Sequence, residues 1–201
     1  MTNSSGTRSP TGCFDMRPLG FSTGALALGD FRSALAMLVP YSVKAVELSA
    51  LRDKELMPLM AALPNLDLGR FDYVSVHVPS KFLSMSESDV ATALDACPER
   101  RIPVVLHPDA IRDASCWRRF GSLLCIENMD KRKKTGRTAD ELASFFDVFP
   151  EASLCFDVAH ARQVDSTMSE GRNILRRFGS RLSQIHISEL DTTGHHHRLS
   201  M

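Results

Sequence analysis

Apolar residues fall in short runs along the chain, and the runs are rich in β-branched residues. "LGFSTG" (19–24), "VKAVELS" (43–49), "YVSVHV" (73–78), "IPVVLH" (102–107), "SLLCIE" (122–127), "SLCFDV" (153–158) and "LSQIHIS" (182–188) read as seven strands. Between them apolar positions recur at helical spacing in "DFRSALAMLV", "DKELMPLMAAL", "SDVATALDAC" and "ADELASFFDVF". Thr138 with Glu141 and Thr167 with Glu170 have the spacing of a capping box and predict two helix starts. "RRFGS" occurs at 118–122 and again at 176–180, each time predicting a helix that ends on glycine before a strand.

Strands that are apolar almost throughout, alternating with helices, predict a parallel sheet covered by helices. Neither a G-x-G-x-x-G turn nor a Walker loop occurs, which counts against a nucleotide-binding open sheet. The expected fold is α/β, a (β/α) TIM-type barrel short of its eighth βα unit, over residues 18–201. Residues 1–17 read as a flexible polar tail.

The polar residues sharpen this picture at the strand ends. His77, His107, Glu127, Asp157 and His186 close five consecutive predicted strands, and His160, three residues after Asp157, is expected just beyond it in the loop. His195, His196 and His197 lie in the loop after the seventh strand. In a parallel barrel these ends share one rim, the face on which such enzymes carry their chemistry. Period-2 alternation sets Cys125 on the face of Glu127, Cys155 on that of Asp157 and Gln184 on that of His186. Nitrogen and carboxylate ligands converging on one point suit Zn²⁺ or Mn²⁺, with Mg²⁺ as a further option. The ordinary alternative, a set of unrelated hydrogen-bonded rim residues, requires five independent coincidences.

Composition changes little. The 201 residues are 43% hydrophobic and 24% charged, and 24 basic side chains balance 24 acidic ones, so net charge selects neither nucleic acid nor an anionic membrane. No run approaches a membrane span, and the N-terminus lacks the apolar segment of a secretory signal. Five cysteines without a C-x-x-C pair argue for reduced thiols and a cytoplasmic location. "DKRKKTGR" (130–137) follows Glu127, so Lys131, Arg132, Lys133, Lys134 and Arg137 are placed to hold a phosphate-bearing substrate, or form a solvated loop. Glu47 closes the second strand as a substrate contact, a second carboxylate or a rim ion-pair partner.

"VSVHVPS", "VVLHPD", "LCIENMD", "CFDVAH" and "QIHISELD" together resemble the third to seventh strand ends of the xylose-isomerase-like barrel superfamily, which includes sugar isomerases, epimerases and endonuclease IV. "GFSTG" and "VELS" resemble its first two strands. On the endonuclease IV pattern, the resemblance implies one metal on His77, His107 and Glu127. Glu127 would bridge to a second ion on Asp157 and His186, and His160 with His196 would serve a third. On the isomerase pattern it implies one ion on Glu127, Asp157 and His186, with Glu127 and Asp157 as the catalytic carboxylates. Gly194 stands where the third-site pattern has Asp.

Three functions follow. The one preferred from the sequence, narrowly, is a divalent-metal-dependent isomerase or epimerase of a sugar or sugar phosphate, with Glu47, Lys131, Lys133 and Arg137 as substrate contacts. The alternative is a multi-zinc phosphodiesterase acting on abasic DNA, the one case in which nucleic acid is a partner. The third is an inactive incomplete barrel serving as a binding module. A homo-oligomer is compatible with each.

Overall fold

The alternating runs are realised as seven parallel strands in a computed structural model that describes residues 17–95, 101–191, 193 and 196–197. The tail expected at 1–17 lies outside the described residues except for Arg17. The strands are β1 (Gly20–Ser22), β2 (Ala45–Ser49), β3 (Tyr73–His77), β4 (Val104–Leu106), β5 (Leu124–Glu127), β6 (Ser153–Asp157) and β7 (Leu182–His186). They pair in sequence order, each parallel to the next. Helices α1 (Thr23–Ala27), α2 (Phe31–Leu38), α3 (Asp53–Ala62), α4 (Glu87–Asp95), α5 (Ala139–Val148), α6 (Val158–Val164) and α7 (Ser169–Phe178) lie between them. A short hairpin follows, β8 (Glu189–Leu190) with β9 (His196–His197).

The sheet is curled, and side chains across its mouth demonstrate it. β2 and β7 stand five places apart in the strand order, a separation of roughly 24 Å in a flat sheet. Yet Gln184 Nε2 on β7 donates to Glu47 Oε2 on β2 at 2.6 Å, and Tyr73 on β3 donates to Gln184 Oε1 at 3.0 Å. At the other end Arg17 donates to the Leu182 carbonyl at 3.4 Å, spanning from the approach to β1 across to β7. Seven strands therefore form an incomplete (β/α) barrel, and no eighth strand joins this sheet among the described residues.

Alternation divides the core accordingly. Val46, Leu48, Val76, Leu106, Leu124, Ile126, Leu154 and Phe156 are buried on the outer faces against Leu56, Leu59, Val90, Leu142, Phe146, Ile174 and Phe178 of the helices. Val105, Cys125 and Cys155 form a separate small buried group on the inner face. Between β6 and β7 the register jumps: Leu154 pairs with Leu182, but Cys155 pairs with Gln184. Ser183 is thus the extra residue of a bulge, and its hydroxyl lies 3.1 Å from Cys125 Sγ. Without it, Ser183 and Ile185 would oppose Cys155 and Asp157, and His186 would face away from the mouth.

Several local expectations change. Thr138 caps α5, accepting from Glu141 N, but Glu141 returns to Arg137 N instead of closing the box. Thr167 does not cap α7; the helix starts after Met168, whose φ of 59° is left-handed, and Glu170 accepts from Ala139 N. The two "RRFGS" segments also diverge. Gly121 has φ 51° within a stretch of 3-10 turns at 118–123, whereas Gly179 is right-handed at the end of α7. Trp117 is fully buried between 3-10 turns, stacked on Phe82 and tilted against Phe120. No described helix is long and apolar enough to cross a membrane.

Two buried or half-buried acids fix the loops on the rim. Glu87 accepts from Arg112 N, Asp113 N and Trp117 Nε1. Asp53 accepts from Leu83 N, Ser84 N and Met85 N, which hold its carboxyl down to about 2 against the opposing effect of burial. A depressed value means stability that is complete above the ordinary 3.8 and is lost as pH falls towards about 2. Asp53→Ala should cost about 2–3 kcal/mol in urea unfolding at pH 7, and its deficit relative to the parent should shrink when the titration is repeated near pH 3. An equal deficit at both values would show that charge is not what ties this loop.

Candidate metal centre

Strand register carries the ligands to one place. Ser49 pairs with His77, Glu127 with Cys155 and Asp157 with His186, and His107 follows β4 directly. Their side chains converge on Glu127, which is 1% exposed. Glu127 Oε2 lies 3.1 Å from His77 Nε2 and 3.0 Å from His107 Nε2. Glu127 Oε1 lies 2.9 Å from His186 Nδ1 and 3.6 Å from His160 Nδ1. His77 and His107 meet edge to face, and His77 and His186 are stacked.

His160 is placed by a helix start, not by the loop expected from the sequence. It occupies the first turn of α6, where Asp157 is the N-cap and accepts from His160 N at 2.7 Å. Its Nδ1 donates to the Asn128 carbonyl at 2.9 Å, and Nε2 lies 3.9 Å from Asp130 Oδ2. The side chain of His196 lies outside the described residues, so its expected partnership with His160 has no geometry here; the backbone of His196 pairs with Leu190.

Burial and charge set the protonation of the group. Burial works against ionised Glu127, but His186, His107 and His77 overcome it and hold the carboxyl well below the usual range. Burial also opposes the charged form of His186, yet Glu47 at 2.9 Å on Nε2 and Glu127 on Nδ1 raise it well above the ordinary 6.5. Glu47 is held at about 2: burial acts upward, and His186 and His77 outweigh it. His107 goes the other way, lowered chiefly by burial. Asp157 is pushed up to about 6, mainly by burial with the Glu127 charge adding, while His160 opposes.

The donors fit a divalent cation. His77 Nδ1 donates to the Val78 carbonyl at 2.8 Å, which fixes the ring with Nε2 donating towards Glu127, where loss of that proton would free a lone pair for a metal. Among the described residues His107 Nδ1 is buried with no hydrogen-bond partner, and Asp109 Oδ1 stands 4.0 Å away. Three sets have donor atoms within 4.8 Å of one another: His77, His107 and Glu127; Glu127, Cys155 and His186; Glu127, Asp157 and His160. Glu127 belongs to all three. Imidazole and carboxylate ligands of this kind suit Zn²⁺ or Mn²⁺.

The basic loop is less available than its sequence implies. Lys133 pairs with Asp109 at 2.7 Å and Arg137 forks onto Glu141. Arg132 forks onto buried Asp130 and also donates to the Thr193 carbonyl. Lys131 is exposed on the same loop. A cavity of about 420 Å³ lies beside it, lined by Pro108, Asp109, Arg132, Lys133, Lys134 and Phe145 among others.

Sequence reasoning missed Asn128 and Asp130. Asn128 donates to the Asp157 carbonyl and accepts from Asp157 N, clamping the ends of β5 and β6 together. Its place directly after Glu127 was the available signal. Asp130 was read only as the start of a charged run, which conceals that it is 1% exposed.

In the metal-free protein His186 should remain protonated well above pH 6.5 in ¹⁵N NMR titration. The stability it lends is therefore present below 6.5 and lost as pH rises through the elevated value. Glu47→Gln should lower that value; an unmoved titration would remove Glu47 from the electrostatics of the site.

No family model matches the sequence, and no curated protein does. Among solved structures, the chain is similar to endonuclease IV from Thermus thermophilus, with 17% identity over 78% of this chain and 70% of that one and a TM-score of 0.48. The fold assignment rests on the strand order and the contacts across the mouth.

Proposed function

We propose that the chain is a divalent-metal-dependent enzyme that hydrolyses a phosphoester. The observation that carries this reading is the division of Glu127, whose Oε2 faces His77 and His107 and whose Oε1 faces His186 and His160. A carboxylate set between two groups of ligands suits a pair of cations, the arrangement that serves displacement at phosphorus. An isomerase centred on a single ion needs only one of those groups, so the geometry favours hydrolysis over the isomerase preferred from the sequence.

His77, His107 and Glu127 would hold one ion, with Glu127 extended to a second beside His186. Bound there, the ions would supply an acidified water and positive charge for the developing phosphate oxygens. Asp157, buried at the mouth with Oδ2 turned towards His160 and His186, is placed to exchange a proton with a bound substrate. Asn128 holds the Asp157 backbone in position, and Asp109 backs the unpartnered nitrogen of His107. The cavity beside the loop would receive the body of the ester, with Lys134 offering charge in its lining. Lys133 and Arg137 enter this reading as loop ties, in line with their carboxylate partners.

One observation favours the isomerase or epimerase as a second reading. Glu47 places a second buried carboxylate on the opposite nitrogen of His186 from Glu127, and moving a proton between two carbons of a sugar calls for such flanking groups.

Metal content and two assays separate the readings. Protein purified with zinc or manganese should carry two ions per chain by elemental analysis and should cleave bis(p-nitrophenyl) phosphate. Glu127→Ala should reduce metal to background, while Glu47→Gln should lower hydrolysis by about 10- to 100-fold. One ion per chain, no cleavage, and an aldose–ketose interconversion abolished by Glu47→Gln would favour the isomerase instead. Full metal retention by Glu127→Ala would overturn both.

A further inference from the structure

A buried thiol stands under the ligands, and neither reading above uses it. Cys155 is inaccessible to solvent and lies on the inner face of β6, opposite Glu127 on one side and Gln184 on the other. One donor atom each from Glu127, Cys155 and His186 lie within 4.8 Å of one another. Donors of one tetrahedral ion, with bonds of about 2.0–2.3 Å, stand roughly 3.3–3.8 Å apart. The 4.8 Å limit exceeds that spacing by about 1 Å.

Asp157 also stands within reach of a cation beside His186, and it groups in addition with Glu127 and His160. Its Oδ2 is 4.0 Å from His186 Nδ1 and 3.8 Å from His160 Nδ1, and it assembles with Glu127 and His160. Its other oxygen is engaged as the cap of α6. Val105 supplies inert volume in the same inner cluster, whereas Cys155 brings a potential ligand atom within reach of two others.

We propose that Cys155 is a thiolate ligand of the cation held between Glu127 and His186, and that it makes this position selective for zinc over manganese or magnesium. The inference rests on the metal-centre reading above and narrows its ligand set. Soft thiolate favours zinc, whereas the hard oxygen donors elsewhere at the mouth discriminate little. Binding forms one metal–sulfur bond and releases the thiol proton to solvent; no electron is transferred.

Cobalt reports the ligand directly. Protein loaded with Co²⁺ should show a sulfur-to-cobalt charge-transfer band in the near ultraviolet, retained in Cys125→Ser and lost in Cys155→Ser. Chelator competition should show Cys155→Ser weakened for zinc by about 10-fold or more, with manganese affinity changed little. X-ray absorption of the zinc-loaded parent, which needs no variant to fold, should contain a sulfur shell at about 2.3 Å. Cobalt bound with only nitrogen and oxygen signatures, or a band that survives in Cys155→Ser, overturns the thiolate and leaves the metal centre standing. Failure of the parent to bind cobalt or zinc overturns both.

Discussion

Glu127 is a carboxylate withdrawn from water, and the organisation of the mouth follows from that constraint. Burying an ion costs several kcal/mol unless opposite charge or hydrogen bonds offset it. Here His77, His107 and His186 stand within 3.1 Å of its two oxygens. The compensation is uneven. His186 is strongly favoured as a cation between two carboxylates, while burial favours neutral His107. Neutral His107 donating through Nε2 to Glu127 leaves its Nδ1 buried and unpartnered. Divalent charge in place of those protons would offset Glu127, Glu47 and Asp157 together.

That cluster exists because the sheet curls and because one strand changes phase. Alternation by itself carries Glu127, Cys155 and Asp157 to the inner face. On β7 the same result requires the bulge at Ser183, which turns Gln184 and His186 inward and leaves Ile185 outside. A single extra residue thus decides whether the mouth has its fourth imidazole, counting His160.

All seven strands, their parallel order and the rim histidines were legible because buried parallel strands produce long apolar runs and a polar residue ending each run is conspicuous. His186 was read on the correct face, although spacing within its own strand holds no trace of the bulge that puts it there. His160 was misplaced in a loop because "DVAH" has no apolar periodicity, and only the Asp157 side chain closing onto His160 N reveals the helix start. The carboxylate partners of the basic loop stayed hidden for a related reason. Lys133 and Arg137 meet acids 24 and 4 positions away, and a charge run viewed alone shows its cations without the long-range partner. Thr167 failed as a cap because Asp165 accepts from Glu170 N in its place, while the Glu170 side chain serves a neighbouring helix.

The open side of the barrel gives Glu47 two tasks at once. β1 and β7 each keep one edge without a strand partner among the described residues, and Phe21, Ile185 and Ile187 beside them are 46%, 44% and 62% exposed. Ladder hydrogen bonds therefore cannot hold the curl there. The ties that remain are polar: Arg17 to Leu182 at one end, and Glu47 with Tyr73 to Gln184 and His186 at the mouth. The carboxylate that tunes His186 is thus also a clasp between β2 and β7. Shape and protonation are consequently linked through one side chain: discharging Glu47 loosens the curl while lowering the His186 pKa, and drawing His186 towards Glu127 strains the clasp. A fully hydrogen-bonded ring of strands would separate these effects, whereas this incomplete ring makes the order of its mouth depend on the charges gathered there.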